Sequence, residues 1–199
     1  MTIPNRTALG TIALLLAAGL LASLPAQTTP PDQEKIMEAY MKAGEVTENH
    51  AYLKRFAGSW TAETTMWMAP GQPPTSGGGA IEGRMIMGGR FVVLDFKGTM
   101  LGRPFEGFQL TGYDNMRKQY LTLWIDDTST SFFELAGTRD AAGDVLDQTG
   151  DWADPLGGTA TVRAKTRFVS ADEYVFEQFM VQPDGGEFKS MEMRCVRKK

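Results

Sequence analysis

From Ser59 onward the chain alternates. Trp60, Ala62, Thr64, Met66 and Met68 fall on one side of a period-two pattern, with Glu63 and Thr65 on the other. Val162, Ala164 and Phe168 oppose Arg163, Lys165 and Arg167, and Met191, Met193 and Cys195 oppose Ser190, Glu192 and Arg194. Side chains a strand's two-residue period apart share a face, so each stretch predicts a strand with one dry and one wet side. Read forward, the pattern predicts strands at 59–68, 80–87, 90–98, 105–113, 118–126, 131–137, 145–152, 158–168, 173–181 and 187–196. Tight turns punctuate them: Gly88-Gly89, Gly102-Arg103-Pro104, Asp114-Asn115, and Pro183 to Gly186. Glycine, asparagine and aspartate tolerate the positive φ of short hairpins. Residues 69–79, APGQPPTSGGG, read as a longer, flexible hairpin loop.

No helical stretch of βαβ length interrupts these strands, which argues against a parallel sheet. The expectation is an all-β fold: an up-and-down antiparallel barrel of about ten strands, closed so that no edge is left open. Strand 118–126 has two substantial faces. Leu121, Leu123 and Ile125 are expected to meet a core or a covering helix. Tyr120, Thr122, Trp124 and Asp126 read as a wall that meets a ligand, with bulky rings and a few hydrogen-bonding groups.

Ahead of the strands the period changes to helical. Asp32 follows two prolines and precedes QEKIMEAYMKAG, an N-cap and first turn, with Ile36, Met37, Tyr40 and Met41 on one stripe and Gly44 as the stop. Thr47 caps a second helix, ENHAYLKRF, in which Tyr52, Leu53 and Phe56 share a face and which Gly58 ends.

The extreme N-terminus has a different character. Arg6 is followed by an unbroken apolar or small run, Ala8 to Leu24, and then by the polar, proline-rich PAQTTPPD. That order is the order of a secretory signal peptide. Residues 1–26 are assigned to it, with cleavage near Ala26 and Ala22 or Ser23 as alternatives. An uncleaved anchor stays open, since a run of ~17 residues is at the short end of what spans a bilayer. Residues 27–47 are then linker and N-terminal helix, and 48–199 the barrel domain. The expected location is periplasmic or secreted, with no stable membrane span after cleavage.

Charge narrows the partners. Removing residues 1–26 takes Arg6 and no acid from the 20 basic and 24 acidic residues, so the net charge goes from −4 to −5. Nucleic acid rewards a basic stripe and is not an expected partner. Cys195 is the single cysteine and His50 the single histidine. There is no internal disulfide, and these two residues cannot form the usual zinc ligand set. No dense Asp/Asn/Gly loop supplies the six to eight oxygens of a calcium site; Asp151 and Asp154 merely flank Trp152. No metal or cofactor is expected.

Gly58-Ser59-Trp60, between a short helix and the first strand, resembles the opening of lipocalins and the wider calycin group. The resemblance implies that Trp60 plugs the closed end of the barrel, with an arginine from near the last strand across its face. Arg194 and Arg197 are the candidates, and Gly58, Trp60 and Arg194 are taken as the barrel-closing set. A closer resemblance runs over roughly residues 48–197. His50-x-x-Leu53, Met87-Gly88-Gly89-Arg90-Phe91, Pro104-Phe105-Glu106-Gly107, Gly112-Tyr113-Asp114-Asn115 and Trp124-Ile125-Asp126 with Thr128 and Thr130 are similar to a bacterial family known as domain of unknown function 1579. It implies a calycin-like barrel and, in some members, export; it implies no activity.

Three functions stay open. The first is a lipocalin-like container for a small apolar molecule, with Trp60, Met66, Tyr120, Thr122, Trp124 and Asp126 as ligand-binding residues. The second is an envelope interaction module docking through the Leu121/Leu123/Ile125 face or the first helix. The third is an enzyme with His50 or Asp126 as general base and Tyr113 or Tyr120 as proton donor. No catalytic residue is assigned. There is no Gly-x-Ser-x-Gly elbow, one histidine leaves little scope for a triad, and Asp126 and Asp127 point to opposite sides of an unbroken strand.

Overall fold

The computed structural model describes residues 32–154 and 157–199. The signal peptide assigned to residues 1–26 and the linker up to residue 31 lie outside them. Helix α1 (Gln33–Ala43) is followed by α2 (Glu48–Leu53) and a single 3-10 turn, Lys54–Phe56. Ten strands come next: β1 Gly58–Met66, β2 Thr75–Ile86, β3 Phe91–Met100, β4 Arg103–Asp114, β5 Gln119–Asp126, β6 Phe133–Arg139, β7 Val145–Ala153, β8 Thr159–Ser170, β9 Glu173–Val181 and β10 Glu187–Arg197. Each pairs antiparallel with its neighbours in the chain. β10 returns to β1, from Trp60 opposite Arg197 to Met66 opposite Met191, so the sheet closes into an up-and-down barrel.

The predicted strands are all present, with one substantial change. β2 begins at Thr75, so the TSGGG of the expected loop is strand and the connection shrinks to residues 67–74. The sheet turns a tight corner here. A Cβ on Gly79 would stand 2.2 Å from the Lys97 carbonyl oxygen, and one on its partner Gly98 would stand 2.1 Å from that of Gly78. Only glycine lets two backbones approach so closely, and barrels need such corners in order to close. A glycine run that reads as a flexible loop is therefore a hydrogen-bonded bend. β1 likewise stops at Met66, and Met68, expected on its inner face, is 71% exposed.

The alternation sorts inside from outside. Trp60, Ala62, Thr64 and Met66 are buried, as are Val162, Ala164, Phe168 and Cys195. Arg163 lies on the outer face, donating from Nε (2.9 Å) and Nη2 (2.5 Å) to the Asp147 carboxylate and from Nη1 (3.1 Å) to Glu187. On β5 the aromatic–polar face points in: Tyr120 and Thr122 are buried. The aliphatic face points out, and neither a core nor a helix is shown over it. Leu121 and Leu123 are half-buried among outer-face neighbours and Ile125 is 36% exposed. Strand parity fixes both faces together, so once Tyr120 is inside, Leu121 must be outside.

α2 and its 3-10 turn seal one end of the barrel. Tyr52, Leu53 and Phe56 are buried against Trp60, Tyr120, Phe168 and Tyr174. The rings meet mostly edge-to-face at 4.8–5.8 Å between centroids, a geometry worth ~0.5–1.5 kcal/mol per pair beyond area burial. α1 behaves differently. Asp32 caps it, accepting from the Glu34 amide at 3.2 Å, yet none of its residues is buried. Ile36, Met37, Tyr40 and Met41 are all exposed. Asn115 Nδ2 holds the end of the helix by donating to the Ala43 and Glu45 carbonyls at 2.9 and 2.8 Å. Among the described residues no helix is long and apolar enough to cross a membrane.

Candidate functional site

Trp60 sits at the sealed base. Its indole Nε1 donates to the Phe56 carbonyl at 2.9 Å, and the guanidinium carbon of Arg197 lies 4.0 Å from the ring centroid. The cation over the indole is thus Arg197, not Arg194. The reason is parity: Arg197 shares the inward register with Trp60, whereas Arg194, an odd number of residues away, points outward and donates to Glu173 at 2.8 Å. Arg197 also donates to three main-chain carbonyls: Nη1 to Ala57 at 2.7 Å, and Nη2 to Arg55 and Ala171 at 3.0 and 3.3 Å. It ties the 3-10 turn, the start of β1 and the β8–β9 turn into one seal. Gly58 leaves room for it. At φ +113° this residue occupies a backbone region costly for any side chain, and a Cβ there would stand 2.5 Å from Arg197 Nη1.

His50 belongs to the same seal. It is 3% exposed and makes the reciprocal contact of a capping box. Nδ1 accepts from the Thr47 amide at 3.0 Å, and the ring is also hydrogen-bonded to the Tyr113 main chain. Desolvation by burial is the largest influence and holds its pKa below the usual histidine value. With its ring nitrogens committed to the main chain, His50 fastens α2 to β4 and is not a free base. Tyr120 is equally committed: its hydroxyl donates to the Asn49 carbonyl at 3.0 Å, and burial pushes its pKa to about 12.

Above the base the buried inward positions turn polar. A polar ladder crosses four strands: Gln109 Nε2 donates to Thr111 Oγ1 at 3.1 Å, Thr111 and Thr122 share a hydrogen bond at 2.9 Å, and Thr122 Oγ1 donates to Gln148 Oε1 at 3.2 Å. Gln148 Nε2 lies 3.4 Å from the carbonyls of both Tyr120 and Leu135. Around the barrel from this ladder, β1, β9 and β10 present Met66, Met193, Met191 and Met180 from the same inward register. Higher up, Trp124 stacks on Phe105 with centroids 6.2 Å apart and planes at 18°. Trp124 Nε1 donates to Asp126 Oδ2 at 2.8 Å, while Thr128 donates to Oδ1 from its amide (3.0 Å) and its hydroxyl (2.5 Å). Asp126 is a rim clasp with three donors, which leaves it poorly placed to act as a base.

The register thus separates the expected ligand-binding residues by height. Trp60 and Tyr120 belong to the base, Thr122 to the middle, and the buried Met66 with the half-buried Trp124 and Asp126 to the upper half. Half-buried, inward-facing Phe133, Trp152, Phe176, Gln178, Met180 and Phe188 join the upper half. The alternation within strands 131–137, 145–152 and 173–181 carries these positions in sequence, although it does not say which parity faces in. Among the described residues, concavities lie on the outside. One of about 410 Å³ runs along α1 to Glu45. Another, about 310 Å³, crosses β3, β4 and β5 over the backbone of Phe96, Gly107 and Asp126, between Phe108 and Ile125 on one side and Lys97 and Glu106 on the other.

The chain is similar to several solved structures. Rv2717c from M. tuberculosis matches with a TM-score of 0.58 at 13% identity, over 78% of this chain and 100% of that one. A de novo designed fluorescence-activating β-barrel matches at TM-score 0.42 and 14% identity over 77% of this chain and 100% of its own. EF1p2_mFAP2b bound to DFHBI matches at TM-score 0.42 and 11% identity over 75% of this chain and 99% of its own. At 13% identity the likeness to Rv2717c is one of fold alone. No curated protein matches the chain. The family profile described as "Protein of unknown function (DUF1579)" matches residues 45–197, from just before the Thr47–His50 cap to the arginine that lies on Trp60, and the chain belongs to that family.

Proposed function

We propose that this protein is an exported container that binds a small, largely apolar molecule in the open half of its barrel without transforming it. One observation carries the reading. Phe133, Trp152, Phe176, Met180, Phe188 and Met191 face inward in a closed barrel yet remain only half-buried. A barrel whose interior is a packed core covers such side chains, as the base of this one does. Large apolar groups that stay accessible inside a wall of hydrogen-bonded strands are the lining of a cup. The committed hydrogen bonds of His50, Tyr120 and Asp126 favour binding over chemistry.

Native mass spectrometry of the protein purified from its own host tests the reading. A co-purified mass that leaves on organic extraction is expected, and its extract should rebind and quench tryptophan fluorescence. A bare chain across several preparations, with no quenching by apolar probes, overturns it. The exported location is tested separately by the mass of the mature chain, which should begin after residue 22, 23 or 26.

A second reading rests on α1. Its apolar stripe, with Tyr40 75% and Met41 70% exposed, is a surface that a partner would cover. It predicts that deleting α1 abolishes an interaction while leaving the barrel's melting unchanged.

A further inference from the structure

The charge of the lumen narrows the ligand class. Charged inward-register residues occur at two levels. At the rim stand Asp126 and the exposed Arg103, and at the sealed base Arg139 and Arg197. At the base Arg197 is held by its three carbonyls, while Arg139 gives Nη2 to Asn49 Oδ1 at 3.0 Å and Nη1 to the Gly143 carbonyl at 3.3 Å, with its guanidinium carbon 4.8 Å from the Tyr52 ring; its Nε is buried and finds no hydrogen-bond partner among the described residues, but it lies at the sealed floor, below the zone a ligand would enter. Between those levels the inward positions are uncharged on every strand, for example Thr64 on β1, Phe96 on β3, Leu135 on β6, Ala164 on β8 and Met193 on β10. The polar ladder from Gln109 to Gln148 is already paired within itself. An ionised group carried into this zone exchanges water for thioethers, rings and occupied amides, which is heavily unfavourable without a counter-charge.

We infer that the lumen selects an uncharged ligand, and that anions are disfavoured because, among the described residues, no free cation faces the interior between rim and base. This rests on the container reading and names the ligand class of that same site. Flexible methionines on one side and flat aromatic rings above suit a planar or elongated body of variable outline.

N-phenylnaphthylamine and anilinonaphthalene sulfonate test this directly, because the second is the first with a sulfonate added. Each is titrated into the full chain and followed by probe fluorescence and by quenching of the protein's tryptophans. The neutral probe should bind at least about tenfold more tightly than the sulfonate. Equal affinities, or a preference for the sulfonate, overturn the charge inference and leave the container reading standing. Failure of both probes counts against the container reading itself. A gain-of-function variant gives a second arm. Met191→Arg places a cation on the half-buried upper wall, where it can stay ionised, and should tighten sulfonate binding about tenfold while thermal melting verifies folding. A folded variant that still binds the neutral probe but shows no gain for the sulfonate also overturns the inference, because the ligand then does not meet that wall.

Discussion

Replacing Arg197 by methionine tests the seal on which the closed end depends. The substitution keeps an unbranched chain of similar length over Trp60 and removes the guanidinium. Two hydrogen bonds of 2.7 and 3.0 Å from a charged donor to the Ala57 and Arg55 carbonyls are lost, with a longer one of 3.3 Å to Ala171. Hydrogen bonds to charged groups contribute ~1.5–3 kcal/mol each. The arginine side chain is 28% exposed, so water re-solvates part of what is lost, and we take about 1 kcal/mol for each of the two short bonds. The cation over the indole at 4.0 Å adds ~0.5–2 kcal/mol. The ion pair with Asp172, whose side chain is 65% exposed, adds little. Together the loss is about 3 kcal/mol, or ~6–12 °C in Tm for a domain of this size. Arg197→Lys should recover less than half, because a single ammonium cannot reach carbonyls on three segments. Arg194→Met, which removes only an outward pair with Glu173, should melt with the wild type. Urea and thermal denaturation followed by circular dichroism read all three. An Arg197→Met loss under about 1 kcal/mol, or an Arg194→Met loss equal to it, refutes the assignment of the seal.

Three further outcomes follow from buried groups. His50 has a folded pKa below its unfolded value, so the unfolded chain binds the extra proton first. Stability should hold above pH 6.5 and fall as the pH drops from there through the folded pKa, by at most ~1.4 kcal/mol per pH unit; His50→Gln should flatten urea melts between pH 5 and 6.5. Cys195 is fully buried and burial pushes its thiol to about 12, so a thiol reagent should modify it only after denaturation; rapid labelling of the native chain contradicts its placement. Thr64 Oγ1 is buried and finds no hydrogen-bond partner among the described residues, so Thr64→Val, which keeps the shape, should raise stability by about 1 kcal/mol and Tm by ~2–4 °C; a lower Tm means the hydroxyl is satisfied.

Much of the architecture is written locally. Period-two alternation, turn residues between strands and the shift to helical spacing before Ser59 predict ten strands and two helices, because burial of one face demands that pattern whatever the partner. The Asp32 and Thr47 caps are equally local, since a cap satisfies amides only a turn away. Parity pairs Tyr120 with Trp124 and Leu121 with Ile125 from sequence alone. It does not say which pair faces in, and the aliphatic face proved to be the outer one.

Only the closed barrel decided the rest. It chose Arg197 over Arg194, because the register between first and last strand joins residues 137 positions apart. It turned Gly77 to Gly79 from apparent loop into a corner, because the need for a bare backbone comes from Lys97 and Gly98 on the next strand. It also committed His50 and Asp126 to main-chain and rim hydrogen bonds. Spacing along a chain records which residues share a face. Which faces meet, and whether they leave room between them, depends on strands brought together from the whole length of the protein.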